Sequence, residues 1–449
     1  MKNRYLLKTV LSVLTACALF ITGTGLRANA VTTQSGSIAK GIDVSKHQGA
    51  INWAQVKNSG VSFAFIKVGS TYSGIDPMFH YNITGAQANG IKTGVYLYSY
   101  ATTPEQAALE AMLVIQWLAP YSVQLPVVFD IEDKCHKGLS AMEINTLINT
   151  FCAIVDSAGY YPMVYSYRNF YSGKIGATPW EKWAAQYGSQ LEMDNSVAFW
   201  QYTSSGSVPG ISGRVDMNYQ YKDFSKLIIE EGFIDHYGNT RFYSGWKMQK
   251  GWVNYQGKKY YFDMLGNMVK GFFPAEDGKF YYLGEQDGAA ATGLTEVAGL
   301  TYFFGEDGAM QFGFVDPGNG MRYFDPALNG AMQKSALFVN AGSFYYAKED
   351  GTLATGITTI NDFPYYFNEA GIMAINQLIE VDGVQYMATE TGVLMEIPPA
   401  PVLPDPAATD PAAAAATAAT DPAAATTAAD PAAATAPTQT VPAAEPETP

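Results

Sequence analysis

From about Gly245 to Glu396 the chain repeats itself, and this limits its folding choices more than any other feature. The period is about 21 residues, in the range of stacked repeat architectures. Aromatic pairs fall at Tyr260-Tyr261, Tyr281-Tyr282, Tyr302-Phe303, Tyr323-Phe324, Tyr345-Tyr346 and Tyr365-Tyr366, with a weakened copy at Tyr386. A glycine keeps step at Gly266, Gly288, Gly308, Gly330, Gly351, Gly371 and Gly392. Two places after it, Met or Leu recurs at Met268, Met310, Met332, Leu353, Met373 and Leu394. A unit this short cannot bury a core alone. The units must therefore stack, and a solenoid of β-hairpins is expected.

The preceding stretch, about Ile38 to Phe224, has a different texture. Short apolar runs at Gly41–Val44, Phe63–Val68, Thr93–Tyr100, Leu125–Glu132, Pro162–Tyr167, Lys182–Tyr187, Val197–Tyr202 and Arg214–Tyr219 read as strands. Amphipathic segments such as Pro104–Leu118 and Ala141–Ala158 read as helices between them. The alternation predicts an α/β fold, a compact β/α barrel. A doubly wound sheet is the alternative, but the first strand lacks the Gly-rich phosphate turn common in such folds. In a barrel, chemistry belongs at the C-terminal ends of the strands. Residues 225–244 read as a linker.

Four acids fall at the predicted strand ends: Asp43, Asp130, Glu132 and Asp216. Strand alternation places Val128, Asp130 and Glu132 on one face and Val127, Phe129 and Ile131 on the other. Carboxylates at i and i+2 lie about 7 Å apart at Cα and repel as anions. Such repulsion can hold one of them protonated near neutral pH, as a general acid requires. Glycosidic cleavage needs one acid to protonate the leaving oxygen and a second group to attack or stabilise the cation-like sugar. A single Asp such as Asp43 before Val44-Ser45 could equally be a turn or helix cap. It is the set of four that reads as a site.

Composition removes other classes. The formal charge is -14, and the first thirty residues hold Lys2, Arg4, Lys8 and Arg27 but no acid. A chain this acidic is a poor ligand for nucleic acid. Four histidines without an H-x-x-x-H spacing argue against a zinc hydrolase, and no metal or cofactor is expected. Ser37-Ile38-Ala39-Lys40 and Lys92-Thr93-Gly94 have the forms of penicillin-interacting motifs. They stand too close together for that fold and lack an intervening S-x-N.

The basic start, the apolar run Val10–Ile21 and Ala28-Asn29-Ala30 read as a signal peptide cleaved after Ala30. Leu14-Thr15-Ala16-Cys17 offers the rival of a lipoprotein anchored at Cys17, although the following residues stay apolar. Cys135 and Cys152 then remain, either as a disulfide or as free thiols. The Pro/Ala/Thr stretch from Ile397 onward has almost no large side chains and is expected to be disordered.

Gly41-Ile42-Asp43-Val44-Ser45-Lys46-His47-Gln48-Gly49 with Ile51-Asn52-Trp53 resembles the opening of family 25 glycoside hydrolases, the N,O-diacetylmuramidase-type lysozymes. Gly94-Val95-Tyr96, Asp130-Ile131-Glu132, Trp183-Ala184-Ala185-Gln186-Tyr187, Phe199-Trp200-Gln201-Tyr202 and Val215-Asp216-Met217-Asn218 follow in that family's order. The resemblance covers residues 38–224. It implies a secreted peptidoglycan hydrolase cutting the β-1,4 bond between N-acetylmuramic acid and N-acetylglucosamine. It implies Glu132 as acid/base, Asp130 as nucleophile or orienter of the acetamido group, and Asp43 and Asp216 as the rest of an acidic floor. Lys67, Tyr96, Tyr98, Tyr165, Trp183 and Gln201 become the expected substrate-binding residues. Tyr98 departs from the pattern, since many relatives carry Phe there after a His.

The repeats resemble choline-binding and related cell-wall-binding modules, through Gly251-Trp252, Gly257, Tyr260-Tyr261-Phe262, Gly266, Met268 and Gly271. That resemblance implies wall-binding rings, here Trp246, Trp252, Tyr260, Tyr261, Tyr281, Tyr282 and Tyr302. Later units begin Gly271-Phe272, Gly293-Leu294, Gly313-Phe314 and Gly356-Ile357, so cages that need Trp are degraded. The expected partners are peptidoglycan glycan strands and, through the repeats, cell-wall polysaccharide or choline-bearing teichoic acid.

Overall fold

The structure, a computed structural model, describes residues 36–193 and 196–398. The expectations for the signal peptide, Cys17 and the Pro/Ala/Thr tail lie outside the described residues. The chain divides into two compact units, Met1–Thr358 with Phe367–Met373, and Thr359–Tyr366 with Ala374–Pro449.

The first unit begins with β1 (Ala39–Val44), α1 (Trp53–Asn58), β2 (Phe63–Ser70), a short β3 (Gly74–Ile75) and α2 (Phe79–Ala88). β4 (Lys92–Tyr98), α3 (Pro104–Leu118), β5 (Val127–Asp130), α4 (Ala141–Ser157) and β6 (Pro162–Tyr167) continue the alternation. The long helices start where local chemistry dictates. Thr103 with Gln106 and Ser140 with Glu143 form reciprocal capping boxes, and Pro104 occupies the first turn of α3. A three-residue helix, α5 (Arg168–Phe170), leads to β7 (Glu181–Ala185), β8 (Val197–Gly206) and β9 (Val215–Gln220).

The strands run in the order β1-β9-β8-β7-β6-β5-β4-β2-β3, and β1 also pairs with β2, which closes an eight-stranded barrel. Successive pairs from β1 through β8 around the barrel are parallel, whereas β9 is antiparallel to both β8 and β1. The regular alternation with helices therefore stops after β6.

Alternating side chains build two layers. Ile42, Val44, Ala64, Ile66, Val127, Phe129 and Ile131 point outward under the helices. Phe63, Phe65, Val128, Met163, Trp183 and Phe199 fill the barrel interior. That interior is tight enough to require glycine: a Cβ on Gly41 would overlap the Phe63 ring, and one on Gly94 would overlap Phe65.

The segment read as a linker is folded. β10 (Glu231–His236), β11 (Asn239–Ser244) and β12 (Lys247–Met248) form a small sheet. It docks on the barrel through Arg241 Nη1 to the Asp156 carbonyl at 3.1 Å and Tyr243 OH to the Gly159 carbonyl at 3.1 Å. Lys247 Nζ to the Ala119 carbonyl at 2.6 Å and His236 against Asp156 add to the contact.

The repeats form hairpins, beginning with Gly251–Tyr255 and Lys258–Phe262, then Gly271–Pro274 and Phe280–Leu283, then Gly293–Val297 and Leu300–Phe304. The coincident Gly and Met periods have one cause. The space where a Cβ of Gly266, Gly288 and Gly351 would sit is filled by Met248, Met268 and Met332 of the preceding unit, and at Gly330 Phe312 and Met310 press close to it. All four glycines also have positive φ. The backbone joins the same units, with N–H bonds from Ala290 to the Lys259 carbonyl at 2.8 Å and from Met310 to the Phe280 carbonyl at 2.7 Å. In the second unit, Gln377–Val381 pairs with Val384–Ala388 as a further hairpin.

Candidate active site

At one end of the barrel the inward alternation continues past the apolar filling into polar residues. Asp43 lies two places beyond Gly41, Lys67 beyond Phe65, Tyr96 and Tyr98 beyond Gly94, and Asp130 beyond Val128. Strand register aligns Tyr98 with Asp130, Asp130 with Tyr165, and Asp43 with Asp216. Glu132 lies just past the end of β5, which stops at Asp130, yet it faces the same cleft. The cleft holds about 280 Å³ and is lined by all ten residues expected for catalysis and substrate binding.

Asp43 is the best-supported acid. Its Oδ2 accepts from Asn218 Nδ2 at 2.7 Å and Gln201 Nε2 at 2.9 Å. Each amide is fixed in turn: Trp183 Nε1 donates to Asn218 Oδ1 at 2.7 Å, and Tyr165 OH donates to Gln201 Oε1 at 2.9 Å. Tyr187 OH adds a second bond to that oxygen at 3.2 Å. Burial still pushes the Asp43 carboxyl well above the usual range, helped by the nearby Asp216, against the pull of the two amide donors.

Asp130 and Glu132 are different. Asp130 Oδ1 and Glu132 Oε2 are buried without a hydrogen-bond partner. Burial raises the Asp130 carboxyl, and the charge of Glu132 raises it further. Burial likewise raises Glu132, opposed by a hydrogen bond from Tyr167, and Asp216 adds repulsion. Asp216, half-buried, is raised by burial while its hydrogen bond with Asp43 works the other way. Lys67 is the cation within this group. Its ammonium sits over the Tyr98 ring, 4.6 Å from the centroid, and its effect on Asp130 is coulombic. Burial lowers the Lys67 pKa while Asp130 and Asp76 oppose the shift. The arrangement can keep a carboxylic acid protonated beside a second carboxyl, the requirement for protonating a leaving oxygen.

The cleft also contains residues the sequence did not single out as site residues: Ser45, His47, Gln48, Tyr167 and Tyr187. Asn218, which donates to Asp43 beneath the cleft, stands out in the sequence only within the Val215-Asp216-Met217-Asn218 motif. Tyr167 carries the same signal as Glu132, a polar side chain on the last residue of a predicted strand. Ser45, His47 and Gln48 come from the turn after β1, where no periodicity points to a face. From Tyr98 a run of rings leads outward, Tyr98 to Tyr100 at 5.2 Å and Tyr100 to Tyr72 at 5.9 Å, and Tyr72 is 87% exposed.

Cys135 and Cys152 are free thiols, so the disulfide alternative is absent from the structure. Cys152 is buried on α4, whereas Cys135 lies in the turn after Glu132.

The seven candidate wall-binding rings separate. Trp246 lines a pocket with Tyr160, Tyr161 and Tyr243 where the small sheet meets the barrel, outside the hairpin array. Tyr260 is buried among Phe233, Phe242 and Phe262. Trp252, Tyr261 and Tyr281 share one cluster with Phe273. Tyr282 and Tyr302 flank Phe272 in another.

Comparison with known proteins agrees with this division. Residues 42–211 match the family described as Glycosyl hydrolases family 25, and residues 249–293 match the Choline-binding repeat. The chain is 32% identical over 208 residues to Uncharacterized protein YegX of Escherichia coli, covering 43% of this chain and 73% of that protein. It is 33% identical over 200 residues to the Autolytic lysozyme of Clostridium acetobutylicum, covering 43% of this chain and 58% of that one. Among solved structures, a bacterial lysozyme from Streptomyces coelicolor matches 42% of this chain and 94% of its own, with 30% identity and a TM-score of 0.37. The chain belongs to glycosyl hydrolase family 25, as a lysozyme-type glycoside hydrolase joined to choline-binding-type repeats.

Proposed function

We propose that the chain is a wall-associated, exported muramidase that cleaves the β-1,4 bond between N-acetylmuramic acid and N-acetylglucosamine. The observation that carries this reading is the pair Asp130 and Glu132, raised by burial, each with one oxygen unsatisfied by the protein. Unsatisfied buried carboxyl oxygens are costly and are tolerated where a substrate completes them. Glu132, nearer solvent, protonates the glycosidic oxygen and afterwards accepts a proton from water. Asp130 attacks the anomeric carbon or holds the 2-acetamido group while that group attacks. Both routes keep the β configuration. Asp43 and Asp216 form the acidic floor, and Asp43 is held in place by its amide donors. The rings from Tyr98 to Tyr72 offer faces for further sugars. The repeats hold the enzyme on wall polysaccharide or choline-bearing teichoic acid.

Glu132→Gln tests the assignment. The amide fills the same space but cannot donate the required proton, so release of new reducing muramic-acid ends from purified peptidoglycan should fall about 10²–10⁴-fold or more. Circular dichroism and wall sedimentation should not change. Retention of most activity would remove Glu132 from the acid role. Absence of cleavage by the unmodified protein would favour a barrel kept as a silent scaffold.

A further inference from the structure

Within the first pair of hairpins, one lysine stands where the repeat pattern otherwise puts no consistent residue. The position before each aromatic pair is Lys259, Phe280, Thr301, Arg322, Phe344, Pro364 and, before Tyr386, Gln385. The side chain of Lys259 folds back into a nest of rings. Its Nζ is 4.1 Å from the Trp252 ring centroid and 4.7 Å from that of Tyr281. The two rings are 4.6 Å apart by centroid, and Tyr261 and Phe273 lie beside Trp252 at 5.1 and 5.9 Å. The Lys259 ammonium also donates to the Asp307 carbonyl at 3.0 Å, so it touches three successive units. No tryptophan follows Trp252 in the sequence.

We infer that Trp252 and Tyr281 form a quaternary-ammonium pocket that the chain closes with its own Lys259. A cation within about 6 Å of two ring faces satisfies the requirement for recognising a trimethylammonium group. Here that place is taken by a tethered primary ammonium. The competition is unequal for two reasons. A tethered group acts at an effective concentration of about millimolar or above, which free ligand must exceed. The primary ammonium also gains the Asp307 hydrogen bond, which a trimethylammonium has no N–H to make. The pocket is thus built for choline but shut to choline in solution, and hold on the wall falls to the remaining rings. This rests on reading the repeats as wall-binding, but it concerns which ligand this pocket takes.

The test uses the full chain and choline itself. Lys259→Ala opens the pocket. Lys259→Met keeps the length of the apolar stem while removing the charge, and guards against a folding defect in the alanine variant. Choline binding is followed by saturation-transfer NMR on its methyl protons and by the shift in melting temperature. Both variants should bind choline at least about tenfold more tightly than the unmodified chain, a difference of about 1.4 kcal/mol. Adding Trp252→Ala to either should abolish the gain. Equal choline affinity with and without Lys259 would overturn the inference. So would folded Lys259→Ala and Lys259→Met proteins that both fail to bind choline. Sedimentation with purified walls separates the two readings, because failure of every variant to bind walls removes wall attachment without altering the solution titration.

Discussion

Asn218→Leu isolates the support beneath Asp43. Asn218 is fully buried, and its amide makes two bonds of 2.7 Å, donating to Asp43 Oδ2 and accepting from Trp183 Nε1. Leucine is close to asparagine in volume, so the cavity contribution is small and the loss is polar. The substitution leaves the Trp183 N–H without its acceptor and Asp43 with Gln201 as its remaining amide donor. The orphaned Trp183 N–H costs about 1–3 kcal/mol and the lost bond to the Asp43 carboxyl about 1.5–3 kcal/mol, about 2.5–6 kcal/mol together. In a domain of this size each kcal/mol lowers the melting temperature by about 2–4 °C, so the barrel transition should fall by about 5–20 °C. Calorimetry of the full chain, with tryptophan fluorescence to identify the barrel transition, measures this. A fall of less than about 2 °C would mean that these bonds do not hold the floor, and the placement of Asp43 would need another account.

Asp216→Asn should raise the melting temperature above that of the unmodified chain at pH 7–8, while activity declines. Because burial raises the folded-state pKa of Asp216, its favourable contribution is complete below the unfolded value of about 4 and is lost as pH rises through the folded value. The difference between the two proteins should therefore shrink as pH falls towards 4, and a difference independent of pH would contradict this origin. Removing everything after Lys250 should spare turnover of small soluble glycans and sharply reduce activity on intact walls. That cut keeps Arg241, Tyr243 and Lys247 docked on the barrel, and equal wall activity with and without the repeats would remove the targeting role.

Much of the barrel was legible because its signals are local. Alternation along Val127–Asp130 correctly separates core-facing Phe129 from cleft-facing Asp130, since period two is a property of any strand. The long helices start at residues whose capping partners lie three positions away, a distance the sequence displays directly. What escaped depends on distant partners. The reversed direction of β9 is set by pairing with β1 and β8. Trp246 looks like a repeat residue in composition, but the Ser122 Oγ bond to the adjacent Gly245 carbonyl at 3.1 Å belongs to the docked sheet. Whether Cys135 meets Cys152 depends on a buried helix face and an outer turn, and a separation of 17 positions says nothing about it. In the repeats the period was plain, whereas its cause, a glycine making room for the previous unit's Met, is visible only once units are stacked.

The reversal of β9 also explains why an acid near the beginning of a strand joins three from the ends of others. In the parallel strands the cleft lies at the C-terminal end, which is where Asp43 and Asp130 stand. A strand running the other way presents its N-terminal end to that same mouth, so Asp216, the second residue of β9, arrives opposite Asp43. Two residues further along, Asn218 reaches the next inward layer and meets Asp43 from below, paired with Gln201 of β8 across the antiparallel ladder. One strand thus supplies both the charge that raises the Asp43 carboxyl and the amide that lowers it. Had β9 run parallel, Asp216 would have fallen at the opposite end of the barrel, towards the apolar filling of Phe63 and Phe199, away from Asp43 and its amide donors.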